Sequence, residues 1–102
     1  MRTDVRKGPR WLSQFTEEDF AFLRRFLLAS GSLKELAEDY GISYPTVRVR
    51  LDRLIAKARL ADDPRNEDDF TLLIRSLVAD GRLASDVGRA ILREHEAGRK
   101  EG

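Results

Sequence analysis

Two helix-start signals lie on either side of a single glycine in the first half of this chain. Ser32 opens the pattern Ser-x-x-Glu of a capping box, which predicts a short helix that runs through Tyr40. Gly41 ends that helix, because the residue after a helix often takes a positive φ that glycine adopts without strain. Ser43 then caps the next helix, whose first turn tolerates Pro45 since that N–H would have no partner in any case. Two helices joined by such a tight turn are the elements of a helix-turn-helix.

The apolar residues around the turn agree with this interpretation. Leu36 and Ala37 fall on the inner face of the first of these helices, with the alanine where the two helices must approach closely. Ile42 fills the turn, and Val47 and Leu51 anchor the helix that follows. The competing interpretation is a plain three-helix bundle that contains such a turn by accident. The presence of both caps favours the helix-turn-helix.

The rest of the chain predicts an all-α fold with three further helices and no strand. The first helix begins after a Thr16 cap, with Phe15 and Phe20 at the spacing of a hydrophobic staple, and runs to about Ser30 before Gly31. Apolar residues cover most of its circumference, which predicts burial on two sides. They are Phe20, Phe22, Leu23, Phe26, Leu27 and Leu28.

A helical hairpin is predicted near the C-terminus. Its first helix carries an apolar stripe that ends at Asp80 and Gly81, and its second runs from about Ser85 to Ala97. The stripe consists of Phe70, Leu73, Ile74, Leu77 and Val78. The predicted organisation is a basic N-terminal arm at 1–12, a helix-turn-helix domain at 13–60, a linker at 61–69, the hairpin at 70–97 and a frayed tail at 98–102. The arm is interpreted as a disordered tail in preference to a segment that follows DNA.

Composition excludes several classes of function. There is no cysteine, so disulfides and thiolate metal sites are excluded, and no apolar run is long enough to span a membrane. The N-terminus lacks the apolar region of a signal peptide, which favours a cytoplasmic location. The acidic residues lie at helix starts and in the linker, and His95, the only histidine, is expected to be solvated. We therefore expect no enzyme, no metal and no cofactor.

The net charge of +1 is unremarkable, but the helix from Ser43 to about Leu60 is basic. At roughly 100° per residue, its core face carries apolar side chains and its outer face is exposed. Arg48 and Arg50 fall at the two borders between these faces, where they would reach phosphates on either wall of a groove. The core face consists of Val47, Leu51, Leu54, Ile55 and Ala58. A solvated basic face remains the alternative.

Thr46, Val49 and Arg53 form a line on the outer face, directed at the floor of a groove. A β-branched apolar residue such as Val49 favours base reading, since its methyls would pack on a thymine methyl group, although single exposed apolar residues are common. Arg53 would bind guanine or remain solvated. Ser43 is mainly a cap, and Tyr44 is expected to pack on the turn or touch a phosphate.

The stretch from Phe15 to Leu60, above all GSLKELAEDYGISYPTVRVRLDRLI, resembles the helix-turn-helix part of the bacterial DUF2089 family. More distantly, it is similar to region 4 of sigma factors and to the LuxR-type output domain. The resemblance implies a helix-turn-helix fold and DNA binding by analogy, with groove-facing positions at Ser43, Tyr44, Thr46, Arg48 and Val49, followed by Arg50. Members of the family typically carry a cysteine-rich zinc ribbon before the helices. That zinc site is not expected in a chain without cysteine.

The sequence as a whole predicts a small DNA-binding protein and transcriptional regulator, with double-stranded DNA as its partner. The hairpin is the expected surface for a homodimer, unless it folds back onto the first helix within one monomer. The alternative is a non-enzymatic adaptor that binds other proteins of the transcription machinery through the helix-turn-helix scaffold. The near-neutral net charge and the large share of acidic residues favour this alternative.

Overall fold

The computed structural model describes residues 8–101, and this part of the chain contains helices and no strand, as the sequence predicts. Short 3-10 turns lie at Arg10–Leu12 and Pro64–Asn66. The five helices are α1 (Glu17–Leu28), α2 (Leu33–Tyr40), α3 (Tyr44–Leu60), α4 (Asp69–Ala79) and α5 (Ser85–Glu101). Residues 1–7 of the predicted arm and Gly102 of the predicted tail lie outside the described residues. Within the described range, no helix is both long and apolar enough to cross a membrane.

The described residues divide into two compact units. One unit comprises 15–56, with α1, α2 and most of α3, and the other comprises 8–14 together with 57–101. The boundary between the units therefore falls within α3, between residues 56 and 57. The predicted helix-turn-helix domain extends slightly further, to Leu60.

Side chains at the helix starts satisfy backbone N–H groups that have no partner within the helix. The Thr16 hydroxyl accepts from the Asp19 N–H at 3.1 Å, and the Asp19 carboxylate accepts from the Thr16 N–H at 2.9 Å. The staple is also present, since the rings of Phe15 and Phe20 lie 5.8 Å apart. At α2 the Ser32 hydroxyl accepts from the backbone N–H of Glu35 at 3.1 Å, which confirms the predicted cap. The Ser32 N–H donates to the Ala29 carbonyl at 3.0 Å, so the reciprocal bond of the predicted capping box is not formed.

The core of unit 15–56 brings α1, α2 and α3 together. It is lined by Phe22, Leu36, Ala37, Val47 and Leu54, which are all buried. The predicted inner face of α2 and the predicted anchor of α3 are thereby confirmed. The expectation that α1 is buried on two sides is wrong, because the side chains of Leu27 and Leu28 are 67% and 68% exposed. The helix also ends earlier than predicted, and both Ser30 and Gly31 take positive φ values.

In the second unit, α4 packs against α5 with part of the predicted stripe, since Ile74 and Val78 lie against Gly88 of α5. The buried residues of α4 are Thr71, Leu72, Ile74 and Ser76. Phe70 and Leu73 of the predicted stripe are instead 40% and 39% exposed. The helix α5 continues to Glu101, so the predicted fraying after Ala97 is wrong for residues 98–101.

The predicted linker is held in place by polar contacts to other segments. Asn66 is fully buried, and its side-chain amide donates to the Leu60 carbonyl at 2.9 Å. Arg10 donates to the carbonyls of Asn66 and Glu67, each at 2.8 Å. The expectation of a disordered tail before Trp11 is therefore wrong at Arg10.

His95 is not the solvated residue that the sequence predicts. Its Nε2 donates to Asp68 Oδ2 at 2.7 Å, and its ring lies 4.6 Å from the ring of Phe70. Asp68 caps α4 and accepts from the backbone N–H of Thr71 at 3.0 Å. These bonds lower the pKa of the Asp68 carboxyl, the Thr71 N–H more than His95. His95 thus ties the middle of α5 to the start of α4.

Gly88 marks the closest approach of α5 to α4. A Cβ atom at this position would lie 2.8 Å from Val78 Cγ2, whereas a Cβ at Gly98 would meet nothing within 4 Å. Alanine is favoured over glycine within a helix by about 1 kcal/mol, but overpacking costs about 1–3 kcal/mol. We therefore expect Gly88→Ala to lower the free energy of unfolding and Gly98→Ala to leave it unchanged or raise it slightly. Urea denaturation of both variants checks this, and equal stability of the two would contradict the close approach.

Candidate nucleic-acid interface

The turn between α2 and α3 has the geometry that the sequence predicts. Gly41 takes the left-handed conformation with φ 65° and ψ 33°, and the Ile42 N–H donates to the Ala37 carbonyl at 3.1 Å. A Cβ at Gly41 would meet nothing within 4 Å. The positive φ, not a lack of space, is therefore the reason for glycine here.

The cap at the start of α3 involves two of the candidate DNA-binding residues. The Ser43 hydroxyl accepts from the Thr46 N–H at 3.3 Å and lies 2.8 Å from the Thr46 hydroxyl. Tyr44 follows as the first residue of the helix and is 52% exposed. Ser43 and Thr46 are exposed as well, so each retains a hydrogen-bonding capacity toward an outside partner.

The outer face of α3 is open to solvent along its length. Val49 is 48% exposed, and Pro45, Arg53 and Ala56 are exposed with it. No hydrogen bond or ion pair within the described residues engages the Arg53 side chain. The predicted line of Thr46, Val49 and Arg53 is thus brought to one accessible face.

The two arginines at the borders of this face have different surroundings. Arg48 Nε lies 3.2 Å from Asp52 Oδ1, in an ion pair whose two side chains are both about half exposed. Arg50 is directed inward, with its guanidinium carbon 4.9 Å from the ring centre of Phe22 and 5.4 Å from that of Tyr40. These cation–π contacts hold the Arg50 side chain against α1 and α2.

Lys57 belongs to the basic residues of this helix in the sequence, but it does not contribute to the surface. Its side chain is fully buried, with Nζ 2.9 Å from Asp80 Oδ2 and 3.1 Å from the Gln14 carbonyl. The helical position could have indicated this, since Lys57 lies about two turns after Arg50 on the same border of the buried stripe. The accessible charge of α3 is therefore smaller than its composition implies.

The exposed surface of α2 is mainly acidic. Lys34, Glu35, Glu38 and Asp39 are all exposed, so three carboxylates accompany one ammonium group. The first turn of α3, by contrast, contains no acidic residue. An anionic ligand would accordingly meet an attractive field at α3 and a repulsive one along α2.

Capped helices, a left-handed glycine turn and an open outer face define a helix-turn-helix protein. Such a domain indicates a regulatory rather than a catalytic fold. Residues 15–60 match the family described as "Domain of unknown function (DUF2089)-HTH", which confirms the predicted resemblance over a little under half of the chain. No curated protein and no solved structure matches this chain. Within residues 8–99, no group of three or more acidic or histidine side chains is arranged to hold a metal ion.

Proposed function

We propose that this chain is a small, non-enzymatic DNA-binding protein that regulates transcription in the cytoplasm. The helix α3 would enter the major groove, whose width admits an α-helix, and α2 would lie across the backbone. The observation that carries the proposal is the open outer face of α3, where Thr46, Val49 and Arg53 are accessible behind a capped glycine turn.

Each residue of the face would have a distinct role. Arg48 would exchange its exposed pairing with Asp52 for a phosphate, because such surface ion pairs contribute little to stability. Arg53 would reach a base edge or a phosphate, and Val49 would pack on a thymine methyl group. Arg50 would contribute mainly by holding α3 against the rings of Phe22 and Tyr40. The exposed third of its side chain would be directed to the DNA backbone.

A homodimer is part of the proposal. A single module of this size buries limited surface on DNA, and two copies on adjacent half-sites would raise the affinity. The α4–α5 hairpin supports this assignment with three apolar side chains that are each about two-fifths exposed, namely Phe70, Leu73 and Val87.

A protein-interaction adaptor is the second candidate function. The observation in its favour is the acidic surface of α2, where Glu35, Glu38 and Asp39 are exposed. Carboxylates in that position would repel the phosphates across which α2 is proposed to lie, whereas a basic partner protein would bind them.

Salt dependence separates the two candidates. If DNA is the ligand, the logarithm of the binding constant for a labelled duplex falls linearly with the logarithm of salt concentration, because bound phosphates release counterions. Arg48→Ala is expected to reduce that slope by about one. Asp52→Ala, which frees Arg48 and removes a negative charge from the same face, is expected to tighten binding. Fluorescence anisotropy over a salt series measures both effects.

Arg82→Ala is the matched control, since Arg82 is exposed and lies between α4 and α5. It should leave the slope unchanged if the outer face of α3 is the interface. Selection of binding sites from random duplexes adds a further test, in which Val49→Ser changes the preferred motif and a two-fold-symmetric motif supports the dimer. Absence of duplex binding even at low salt would overturn the proposal in favour of the adaptor.

A further inference from the structure

Four arginine side chains converge on one groove in the unit formed by 8–14 and 57–101. The groove has a volume of about 670 Å³ and is lined by Arg65, Arg75, Arg89 and Arg93, with Glu96 as its acidic residue. These arginines come from three separate elements, namely the Pro64–Asn66 turn, α4 and α5. None of them belongs to the outer face of α3.

The positive charge of this groove is only partly compensated within the described residues. Arg65 pairs with Asp63, with Nη2 2.7 Å from Oδ2 and Nε 3.1 Å from both carboxylate oxygens. The hydrogen bonds from Arg65 lower the pKa of the Asp63 carboxyl to about 2, so Asp63 is ionised and balances the charge of Arg65. The charge of Arg75 also lowers the pKa of Asp63, so Asp63 and the lining residue Glu96 together oppose four arginines, which leaves an excess of positive charge.

Two features of these arginines run against stability. The Nε group of Arg75 is buried and has no hydrogen-bond partner, although a buried donor without an acceptor destabilises a fold. Arg89 and Arg93 stand one helical turn apart on α5, where like charges repel each other. A bound anion with several acceptor oxygens would relieve the repulsion between Arg89 and Arg93.

We propose that this groove binds a small ligand through a chain of two or three phosphates. Guanidinium groups form paired hydrogen bonds to phosphate oxygens, and several arginines around one concavity match several adjacent phosphates. The volume is that of a small-molecule site, for which about 300–1,000 Å³ is typical. The phosphate chain would belong to a nucleoside polyphosphate or to free polyphosphate. Its binding requires no DNA and uses residues distinct from those proposed for DNA.

Isothermal titration calorimetry at constant ionic strength tests the site, with inorganic tripolyphosphate as the probe and sulfate as the charge control. The wild-type chain should bind tripolyphosphate at least tenfold more tightly than sulfate. Arg75→Gln and Arg93→Gln should each weaken tripolyphosphate binding by about tenfold or more, since each removes a charge-assisted hydrogen bond. Glu96→Gln should strengthen it, because the carboxylate repels the ligand. Thermal unfolding of each variant checks that the chain remains folded. Because Arg93 is exposed, its replacement is expected to leave stability nearly unchanged.

Arg82→Gln provides the same loss of charge outside the groove and should leave the affinity unchanged. If it weakens binding as much as Arg75→Gln, or if sulfate binds as well as tripolyphosphate, the site is overturned. Displacement of tripolyphosphate by duplex DNA would overturn it as well, since the groove would then belong to a nucleic-acid surface. Titration with adenosine and guanosine triphosphates identifies the source of the phosphate chain. If either nucleotide binds more tightly than tripolyphosphate, the ligand is a nucleotide, and if both bind only as tightly as tripolyphosphate, it is free polyphosphate.

Discussion

Replacing Lys57 by methionine is expected to lower the free energy of unfolding by about 3 kcal/mol, because loss of one partner leaves the other charge of a buried ion pair uncompensated. The Lys57 side chain is fully buried, and Asp80, its partner at 2.9 Å, is only 17% exposed. Methionine preserves the length and the apolar stem of lysine, so the lost packing is small. The main loss is the cation that balances Asp80 and bonds to the Gln14 carbonyl.

Urea denaturation measures this effect, and a double-variant cycle isolates the pair. Asp80→Asn alone should also destabilise the chain, while the two changes together should cost less than the sum of the single losses. Arg59→Met is the matched control, since Arg59 is exposed on the same helix and its replacement should change stability little. A stability of Lys57→Met within about 1 kcal/mol of the wild type would contradict a buried ion pair.

The same variant bears on the proposed DNA interface. Because Lys57 is buried, its replacement should leave the salt dependence of duplex binding unchanged, in contrast to replacement of the exposed Arg48. A slope reduced equally by both changes would show that Lys57 is accessible to phosphate.

The helix-turn-helix was predictable from sequence because its determinants are local. Ser32 and Ser43 each bond to a backbone N–H three residues ahead, and Gly41 supplies the positive φ between them. Such contacts depend on a few neighbouring residues, so a short pattern contains nearly all the information. The buried positions of Leu36 and Val47 follow from the helical period once the caps are fixed.

The polar contacts between distant segments were not predictable in this way. Lys57 pairs with Asp80, His95 with Asp68, and Arg10 with the carbonyls of 66 and 67. In the sequence each of these side chains resembles a solvated polar residue, because nothing near it in the chain records its partner. The converging arginines of the groove were missed for the same reason.

The buried face of α4 shows a different limit. Leu72, Leu73, Ile74, Leu77 and Val78 cover much of the helix, so more than one stripe fits the helical period. The structure buries Leu72 and Ile74 and exposes Leu73. For the candidate interface, the helical period placed Val49 and Arg53 on the outside of α3. It could not show that Arg48 is exposed whereas Arg50 packs against aromatic rings. That distinction depends on the rings of Phe22 and Tyr40, which come from other helices.

Phe22→Ala is expected to destabilise the chain by about 4 kcal/mol, the range for a large aromatic side chain removed from a close-packed core. Phe22 is 1% exposed, and its ring stacks on that of Tyr40 with the centres 6.0 Å apart. The guanidinium of Arg50 covers the same ring at 4.9 Å. The substitution would therefore remove both the centre of the three-helix core and the support that orients Arg50.

Thermal and urea denaturation of two further variants make this test specific. Phe22→Leu keeps most of the apolar volume and should cost well under half as much. Leu27→Ala lies on the same helix, but its side chain is 67% exposed, so it should change stability by no more than about 0.5 kcal/mol. A large loss at Leu27 would show that this face of α1 is covered in solution, and a small loss at Phe22 would show that α1 does not supply the core. Only a large loss at Phe22 together with a small one at Leu27 fits a helix that packs along a single face.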